Sequence, residues 1–243
     1  MAVNTDNVNY VDMAQRLFAS LRHWHPEART CLITDKAIEA PEFDHVKILA
    51  PQENPYANDA QAFRLTPFRE TIKLEADMLI VSEIDHWWTM LRHRDVAIST
   101  GCRDWHGTVS TERYYRRVID ENKLPDVYNA ITYWRLSEIS QQFYQLVRDI
   151  FANWSAIKTL LKFSEDRPST DVVYAIAAQT IGPELVTMPF APYPQITHMR
   201  PRIAGTAGAW YRELVWELQD GRLRIETVPQ WGTFHYHEKT WLP

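Results

Sequence analysis

The sequence predicts an α/β protein, with one domain over residues 1–243 built on a mixed, mostly parallel sheet flanked by helices. Two observations carry this prediction. Apolar runs of strand length alternate with amphipathic segments of helix length, which is typical of α/β folds. No internal repeat and no low-complexity linker divides the chain, and its length of 243 residues suits a single large domain.

The first third of the chain predicts a strand–helix–strand–loop–strand opening that leads into a longer buried strand. After a short strand at the N-terminus, residues 10–23 place apolar side chains at helical spacing. We expect strands at 31–34 and 45–49, and a helix or pair of turns at 60–70. The run 72–81 predicts the buried strand. Such an opening is typical of parallel, nucleotide-binding sheets.

The alternation continues through the middle of the chain. In chain order we predict a helix at 85–91, a strand at 96–99, a helix or loop at 111–121, a strand at 127–134 and helices at 137–154 and 169–179. Ser137 is expected to cap the first of these two long helices. Its expected apolar face consists of Ile139, Phe143, Leu146, Val147 and Ile150. Prolines and short strand-like runs follow from Pro183 onward.

The composition argues against several classes of protein. A formal net charge of −5 provides no global positive field for nucleic acid, although a local basic patch stays open. No apolar stretch approaches the roughly 20 residues that cross a bilayer, and the polar N-terminus does not resemble a signal peptide. Cys31 and Cys102 are too few for a disulfide framework, which fits a reducing, cytoplasmic compartment. Ten Trp and eleven Tyr indicate a heavy aromatic core or aromatic platforms for sugars or bases.

The most informative residues are two acids in the predicted strand 72–81. Glu75 and Asp77 are two positions apart, and alternate side chains of an extended strand share a face. Two neighbouring carboxylates on a buried strand repel each other and are costly to desolvate, and a divalent cation would offset that cost. Their oxygen atoms suit Mn²⁺ or Mg²⁺. The alternative is a strand end at which both acids reach water.

A second group of candidate ligands lies near the C-terminus. His235 and His237 are also two positions apart and would share a face in an extended segment. Imidazole is a good ligand for Mn²⁺, and Lys239 continues the alternation toward a position where it can meet a phosphate. The alternative is a surface feature. The metal interpretation requires this segment to fold back against Glu75 and Asp77.

Together these features resemble the nucleotide-sugar glycosyltransferases of the GT-A (Rossmann-like) fold, closest to the family-8 type. The resemblance covers most of the chain in order. Its motifs are Ala2-Val-Asn-Thr-Asp6, Arg64-Leu-Thr-Pro-Phe-Arg-Glu-Thr-Ile-Lys-Leu-Glu-Ala-Asp77, Asn129-Ala-Ile, Ser169-Thr-Asp171 and the closing His235, His237, Lys239 and Trp241. The stretch from Thr66 to Trp88 is also similar to glycosyltransferase-like proteins of tailed phages.

The resemblance implies a metal-dependent transfer of a sugar from a nucleoside-diphosphate donor, of the UDP type, to a hydroxyl group with retention of configuration. It implies Mn²⁺ or Mg²⁺ held by Asp77 and by His235 or His237, and it places Asp171 and Asn129 near the sugar and acceptor. The implied donor-binding residues are Asn4, Thr5, Asp6, Tyr10, Arg64, Lys73, Glu75 and Lys239. The alternatives are a helix N-cap for Asp171 and a turn for Asn129.

This sequence departs from the family pattern at two places. The first acid of the metal motif is Glu75 where the family has Asp, so Glu75 is expected to contact ribose or metal-bound water. The closing motif has the spacing His-x-His-x-Lys, which leaves open which histidine binds the metal. The first departure also permits a degenerate module that binds nucleotide sugars without catalysis.

The acceptor is less well defined by the sequence. Residues 111–117 and 198–202 mix basic and aromatic side chains, which can contact phosphates and stack on bases. With the phage resemblance, this makes a hydroxylated pyrimidine in phage DNA one candidate acceptor, reached in the cytoplasm of the host. The alternatives are a solvated helix face for the basic cluster and a saccharide or protein acceptor. The oligomeric state is open.

Overall fold

The computed structural model describes residues 1–3, 8–109, 116–188 and 196–242. The helices are α1 Tyr10–Trp24, α2 Ala62–Leu65, α3 His86–Leu91, α4 Arg116–Glu121, α5 Glu138–Ala152, α6 Trp154–Leu161, α7 Thr170–Ile181, α8 Pro183–Val186, α9 Pro201–Ala204 and α10 Trp210–Glu213, and a 3₁₀ helix Pro55–Gln61 precedes α2. The strands are β1 Cys31–Thr34, β2 His45–Ile48, β3 Glu70–Leu74, β4 Met78–Ile80, β5 Val96–Thr100, β6 Val127–Arg135, β7 Ile196–His198, β8 Trp216–Gln219, β9 Arg222–Ile225, β10 Val228–Pro229 and β11 Thr233–His235. The mixed α/β class is confirmed.

The strands form small sheets in which antiparallel pairs predominate. Their orders are β1-β2, β3-β6-β5, β4-β11-β7 and β10-β9-β8. Among the described strands, only β1 with β2 and β7 with β11 pair in parallel. The prediction of a mostly parallel sheet is therefore wrong. Alternating strands and helices produce parallel neighbours only when each helix crosses over between adjacent strands. Here β6 lies between β3 and β5, antiparallel to both.

The two long helices begin where their sequences predict, but the predicted helix 137–154 breaks at Asn153, where α5 ends and α6 follows. In α1, the side chain of Asn9 accepts a hydrogen bond from the Val11 N–H. In α5, Ser137 is the N-cap of a capping box with Ser140, so its predicted role is confirmed. The expected apolar face of α5 is buried at Phe143, Val147 and Ile150, half-buried at Leu146 and exposed at Ile139. The prediction of burial is wrong for Ile139: it shares the helix face of Phe143, but it lies in the first turn of α5 and remains exposed.

The central core lies between the β3-β6-β5 sheet and the helices α5 and α7. Strand β6 is buried at every position from Val127 to Trp134. Helix α7 begins after its N-cap Ser169, and its side chains from Val172 to Ala178 are all buried, which is typical of a helix enclosed by protein on most sides. The aromatic side chains supply much of this volume. The aromatic residues among the most deeply buried side chains are Trp87, Trp134, Trp210, Tyr133, Tyr144, Tyr174, Tyr236, Phe143 and Phe234.

A separate aromatic cluster supports the C-terminal segment. The Trp241 ring lies 4.7 Å from the Trp210 ring and 5.5 Å from the Phe234 ring, measured between centroids. The Trp241 N–H donates to the Glu238 carbonyl at 3.2 Å, which closes a turn around Lys239. Buried Trp241 thus anchors the segment that carries Lys239.

Within the described ranges, no helix combines the length and apolar character needed to cross a membrane.

Candidate metal centre

Glu75 and Asp77 lie at a break in the predicted strand. β3 ends at Leu74, residues 75–77 form a turn, and β4 begins at Met78. β3 belongs to the β3-β6-β5 sheet and β4 to the β4-β11-β7 sheet, so the two acids occupy the crossing between sheets. The prediction that they share a face of one continuous strand is wrong. Their directions are set by the turn, because the alternation of an extended strand does not continue through it.

Strand pairing brings a histidine to these acids from the far end of the chain. β11 runs antiparallel to β4 and places His235 opposite Met78, next to Asp77. The His235 Nε2 atom lies 2.8 Å from Asp77 Oδ2, and His235 Nδ1 lies 3.4 Å from Glu75 Oε2. One ligand atom from each residue lies within 4.8 Å of the others. We refer to Glu75, Asp77 and His235 as the acid–histidine triad.

Lys239 and Tyr10 complete one side of the triad. The Lys239 ammonium group donates a hydrogen bond to Asp77 Oδ2, the same oxygen that faces His235. Lys239 Nζ also lies 5.3 Å from the centroid of the Tyr10 ring, close enough for a cation–π contact. Two of the residues that the resemblance assigns to the donor therefore lie beside the triad.

The electrostatics of the triad couple its charges. Burial opposes ionisation of Asp77, but the charge and hydrogen bond of His235, with those of Lys239, outweigh it and hold the Asp77 pKa well below its usual range. Burial lowers the His235 pKa, but Asp77 and then Glu75 reverse this, so the net pKa is raised. Burial, then repulsion from Asp77, raises the Glu75 pKa against the attraction of His235. Two cations thus neutralise Asp77, and Glu75 is the acid that is easier to protonate.

His237 lies next to the triad and outside it. The strand alternation ends at His235, and His237 has a positive φ of 60° in the left-handed region. Its Nε2 accepts a hydrogen bond from Arg200 Nε at 3.2 Å, and its ring stacks on His235 with centroids 5.0 Å apart. Burial and the nearby charges of His235 and Arg200 lower the pKa of His237 to about 3, so its imidazole is neutral. The structure therefore brings His235, but not His237, to both acids.

The sequence analysis missed two residues that hold His235 in place. β7 pairs in parallel with β11 and places His198 opposite His235. The Tyr128 hydroxyl contacts Nδ1 of both His198 and His235. Burial, then the charge of Glu75, raises the Tyr128 pKa well above its usual value. The phenol therefore stays protonated and donates a hydrogen bond to one of the two imidazoles.

His198 does not belong to the predicted basic surface at 198–202, whereas Arg200 and Arg202 are exposed there. The His198 side chain is 1% exposed and faces the triad. A single histidine in a strand has no spacing pattern that would have revealed this role. Tyr128 had a weak signal, since it directly precedes Asn129 in the motif of the resemblance.

Lys73 and Asn129 belong to a buried polar network centred on Asp59. Lys73 Nζ donates to Asp59 and, at 3.0 Å, to the Asn129 carbonyl. The Asn129 amide donates to Asp59 Oδ2 at 2.6 Å, and the Tyr174 hydroxyl donates to the same oxygen at 2.8 Å. The side chains of Lys73, Asp59 and Asn129 are all buried. They hold one another in the core, and Asn129 lies within β6, so its interpretation as a turn residue is wrong.

Asp171 connects α7 to this part of β6. The N-cap of α7 is Ser169, whose side chain accepts from the Val172 N–H, so the alternative of Asp171 as N-cap is wrong. Asp171 lies in the first turn and accepts a hydrogen bond from the Asn129 N–H at 2.8 Å. Its charge also contributes a smaller repulsion that raises the Glu75 pKa after burial and Asp77. Asp171 is thus near enough to the triad to influence it.

The remaining candidates lie elsewhere. Arg64 is exposed on α2 and lines a groove against α5 that shares no lining residue with the triad. Asn4, Thr5 and Asp6 lie outside the described residues, as do positions 111–115 of the basic segment.

The donor atoms of the triad fit a divalent cation. Asp77 Oδ2 and His235 Nε2 face each other directly, whereas Glu75 faces the opposite edge of the imidazole. Asp77 Oδ2 and His235 Nε2 are the atoms that could hold such an ion. The Nδ1–H of His235 would then donate to Glu75 or Tyr128, as the outer N–H of many metal-bound histidines donates to a carboxylate. Glu75 suits a contact to metal-bound water or to ribose.

Comparisons with known proteins supply no further assignment. No model of a protein family matches this chain, and no curated protein is significantly similar to it. The functional argument therefore rests on the geometry of the triad and its neighbours.

Proposed function

We propose that this protein is a metal-dependent glycosyltransferase that moves a sugar from a nucleoside-diphosphate donor to a hydroxyl acceptor. The observation that carries the proposal is the convergence of Glu75, Asp77 and His235 at the crossing between two sheets, although Asp77 and His235 are 158 residues apart in the chain. Lys239 beside them adds a phosphate-binding charge. The GT-A fold, a UDP-type donor and retention of configuration belong to the proposal through the resemblance.

In this proposal the residues of the triad act on the diphosphate of the donor. A bound Mn²⁺ or Mg²⁺ would supply positive charge to the diphosphate as it leaves. Asp77 and His235 hold the ion, and Lys239 exchanges its contact with Asp77 for the phosphate oxygens. Such stabilisation of developing charge is worth on the order of 3 kcal/mol in the barrier for a single group. Tyr10 contacts the Lys239 ammonium and keeps it at the donor side of the site.

Donor turnover tests the proposal directly. We expect slow, Mn²⁺-dependent release of nucleoside diphosphate from one member of a panel of UDP-sugars, and its loss in Asp77→Asn. The matched control is Asp166→Asn, because Asp166 is an exposed aspartate that pairs only with Lys158 among the ion pairs of the described residues. Retained turnover in Asp77→Asn, or equal loss in both variants, would contradict the role of the triad.

A hydroxylated pyrimidine in phage DNA is the proposed acceptor, with the host cytoplasm as the place of reaction. The resemblance to phage proteins supports this choice. The test is mass spectrometry of nucleosides from hydroxymethylated DNA incubated with the protein, Mn²⁺ and each donor. A pentose or hexose mass on the modified base is expected; transfer to oligosaccharides or protein alone would overturn this acceptor in favour of the alternatives.

One observation favours a second candidate, a nucleotide-sugar-binding module without catalysis. Lys239 already donates to Asp77, so an ammonium group takes the place at which a catalytic ion would neutralise this carboxylate. In that case donor binding would be independent of metal, and no donor would be turned over. Calorimetry with a UDP-sugar in the presence of a chelator separates the two candidates.

A further inference from the structure

A second site candidate lies in the groove between α2 and α5. The groove has a volume of about 550 Å³, within the size range of small-molecule sites. Its lining combines two cations, three amides and one aromatic ring: Phe63, Arg64, Gln141, Gln142, Gln145, Leu146, Arg148 and Asp149. Among these residues only Arg64 has a predicted functional role, and none of them belongs to the acid–histidine triad.

Arg148 is incompletely partnered in this groove. Its Nη2 donates to Gln145 Oε1 at 2.5 Å, but its Nη1 is buried without a hydrogen-bond partner in the structure. Buried donors are nearly always satisfied by protein, water or ligand, so such an atom needs explanation. The Gln145 side-chain amide donates a hydrogen bond to Asp149 Oδ1 at 2.7 Å, and Asp149 is the only acid among the described residues that line the groove.

The groove also concentrates positive charge. Arg148 faces Arg64, and burial together with the charge of Arg64 lowers the Arg148 pKa, with Asp149 offsetting only part of this effect. Arg64 itself is exposed, and no ion pair of Arg64 is recorded among the described residues. Two guanidinium groups held near each other are stabilised by a shared anion.

The other lining residues indicate what this anion is attached to. Gln141 and Gln142 carry amides that both donate and accept, which suits hydroxyl groups, whereas the amide of Gln145 is engaged by Arg148 and Asp149. Phe63 stacks on Tyr144 with centroids 4.5 Å apart, so the ring forms a fixed apolar wall. An anion with a hydroxylated body of modest size matches the groove better than a bare ion does.

We propose that this groove binds a small phosphorylated, hydroxyl-bearing molecule, with Arg64 and Arg148 contacting its phosphoryl group. The guanidinium fork matches phosphate oxygens in a two-point contact. The buried Nη1 of Arg148 reaches this phosphoryl group only when the guanidinium turns toward the groove. The site shares no residue with the acid–histidine triad and would operate whether or not the protein is a glycosyltransferase.

Binding of ribose 5-phosphate to the full chain tests the site. We expect measurable binding by calorimetry, with ribose and inorganic phosphate each binding at least about tenfold more weakly. Arg64→Gln and Arg148→Gln should each weaken ribose 5-phosphate by about tenfold or more. The matched control is Arg224→Gln, because Arg224 is a half-exposed arginine whose only recorded ion pair among the described residues is with Glu217. Arg224→Gln should bind ribose 5-phosphate with the affinity of the wild type.

A chemical readout separates ligand binding from a purely structural role of Arg148. Ribose 5-phosphate should protect Arg64 from phenylglyoxal, measured by mass spectrometry of the wild-type protein, and should leave Arg224 unprotected. Arg64 is exposed, so Arg64→Gln is expected to fold. Absence of protection at Arg64, equal affinity of Arg64→Gln and wild type, or binding of a single-stranded oligonucleotide without binding of the phosphomonoester would each overturn the proposal.

Discussion

Replacing Asp77 by asparagine tests the electrostatic account of the metal centre without any metal. The wild-type carboxylate receives two charge-assisted hydrogen bonds, from His235 Nε2 at 2.8 Å and from Lys239. Each such bond contributes about 1.5–3 kcal/mol. Asparagine keeps one acceptor oxygen, and the Lys239 side chain, 24% exposed, regains water. We therefore expect Asp77→Asn to lower the free energy of unfolding by about 2–3 kcal/mol.

This loss should depend on pH in a defined way. The folded pKa of Asp77 lies below its unfolded value of about 3.9, so its stabilisation is present above that pH and disappears as the pH falls. The folded pKa of His235 lies above its unfolded value of about 6.5, so its stabilisation is present below that pH and disappears as the pH rises through the folded value. The difference between wild type and variant should be largest between about pH 4 and 6.5.

Urea denaturation of both proteins from pH 3 to pH 9, in a chelating buffer, measures this difference. Asp166→Asn provides the control, since Asp166 is exposed and its pair with Lys158 lies at the surface. The control should remain within about 0.5 kcal/mol of wild type. A difference for Asp77→Asn that is constant with pH, or that is no larger than the control's, would refute the coupling of Asp77 to His235.

Three further predictions address the metal, the core and the buried network. Mn²⁺ must displace the proton that the raised pKa leaves on His235, so the affinity for Mn²⁺ should increase by about tenfold per pH unit as the pH rises toward that pKa. Calorimetry in buffers of different ionisation heat should show the release of about one proton. Phe143→Ala should lower the free energy of unfolding by about 3–5 kcal/mol because the ring is fully buried, whereas Ile139→Ala at the exposed first turn of α5 should cost less than about 1 kcal/mol. Lys73→Met leaves buried Asp59 without its cation and should cost about 3–5 kcal/mol in thermal or urea unfolding; a neutral effect would show that the network is not maintained by this ion pair.

Local elements were accessible from the sequence because their signals are local. The helix at 10–23 and the capped helix from Ser137 follow from apolar spacing and capping chemistry within a few turns. The strands at 31–34, 45–49 and 96–99 follow from short β-branched or apolar runs between polar residues. Such patterns do not specify which strand pairs with which, and the expected parallel order was therefore wrong.

Only part of the candidate site could be predicted from the sequence, again because sequence patterns do not specify which strands pair. Its carboxylates and His235 were identified from residue type and spacing, although the reason given for the pairing of Glu75 with Asp77 was wrong. His198 had no sequence pattern and Tyr128 only a weak one, and both reach His235 only through the β7–β11 pairing and the position of β6. The resemblance assigns Lys73 to the donor and Asn129 to the sugar and acceptor. The sequence did not reveal that both side chains contact Asp59.

The sequence by itself determined the α/β composition, the starts of the two long helices and the residues with metal-binding chemistry, since all of these depend on side chains close together in the chain. The tertiary structure alone decided that the run 72–81 breaks at Glu75–Asp77 and that β11 returns beside β4. That pairing joins Asp77 to His235 across 158 residues. Contacts at this separation depend on which strands share a sheet, and a strand's own sequence specifies its faces but not its neighbours.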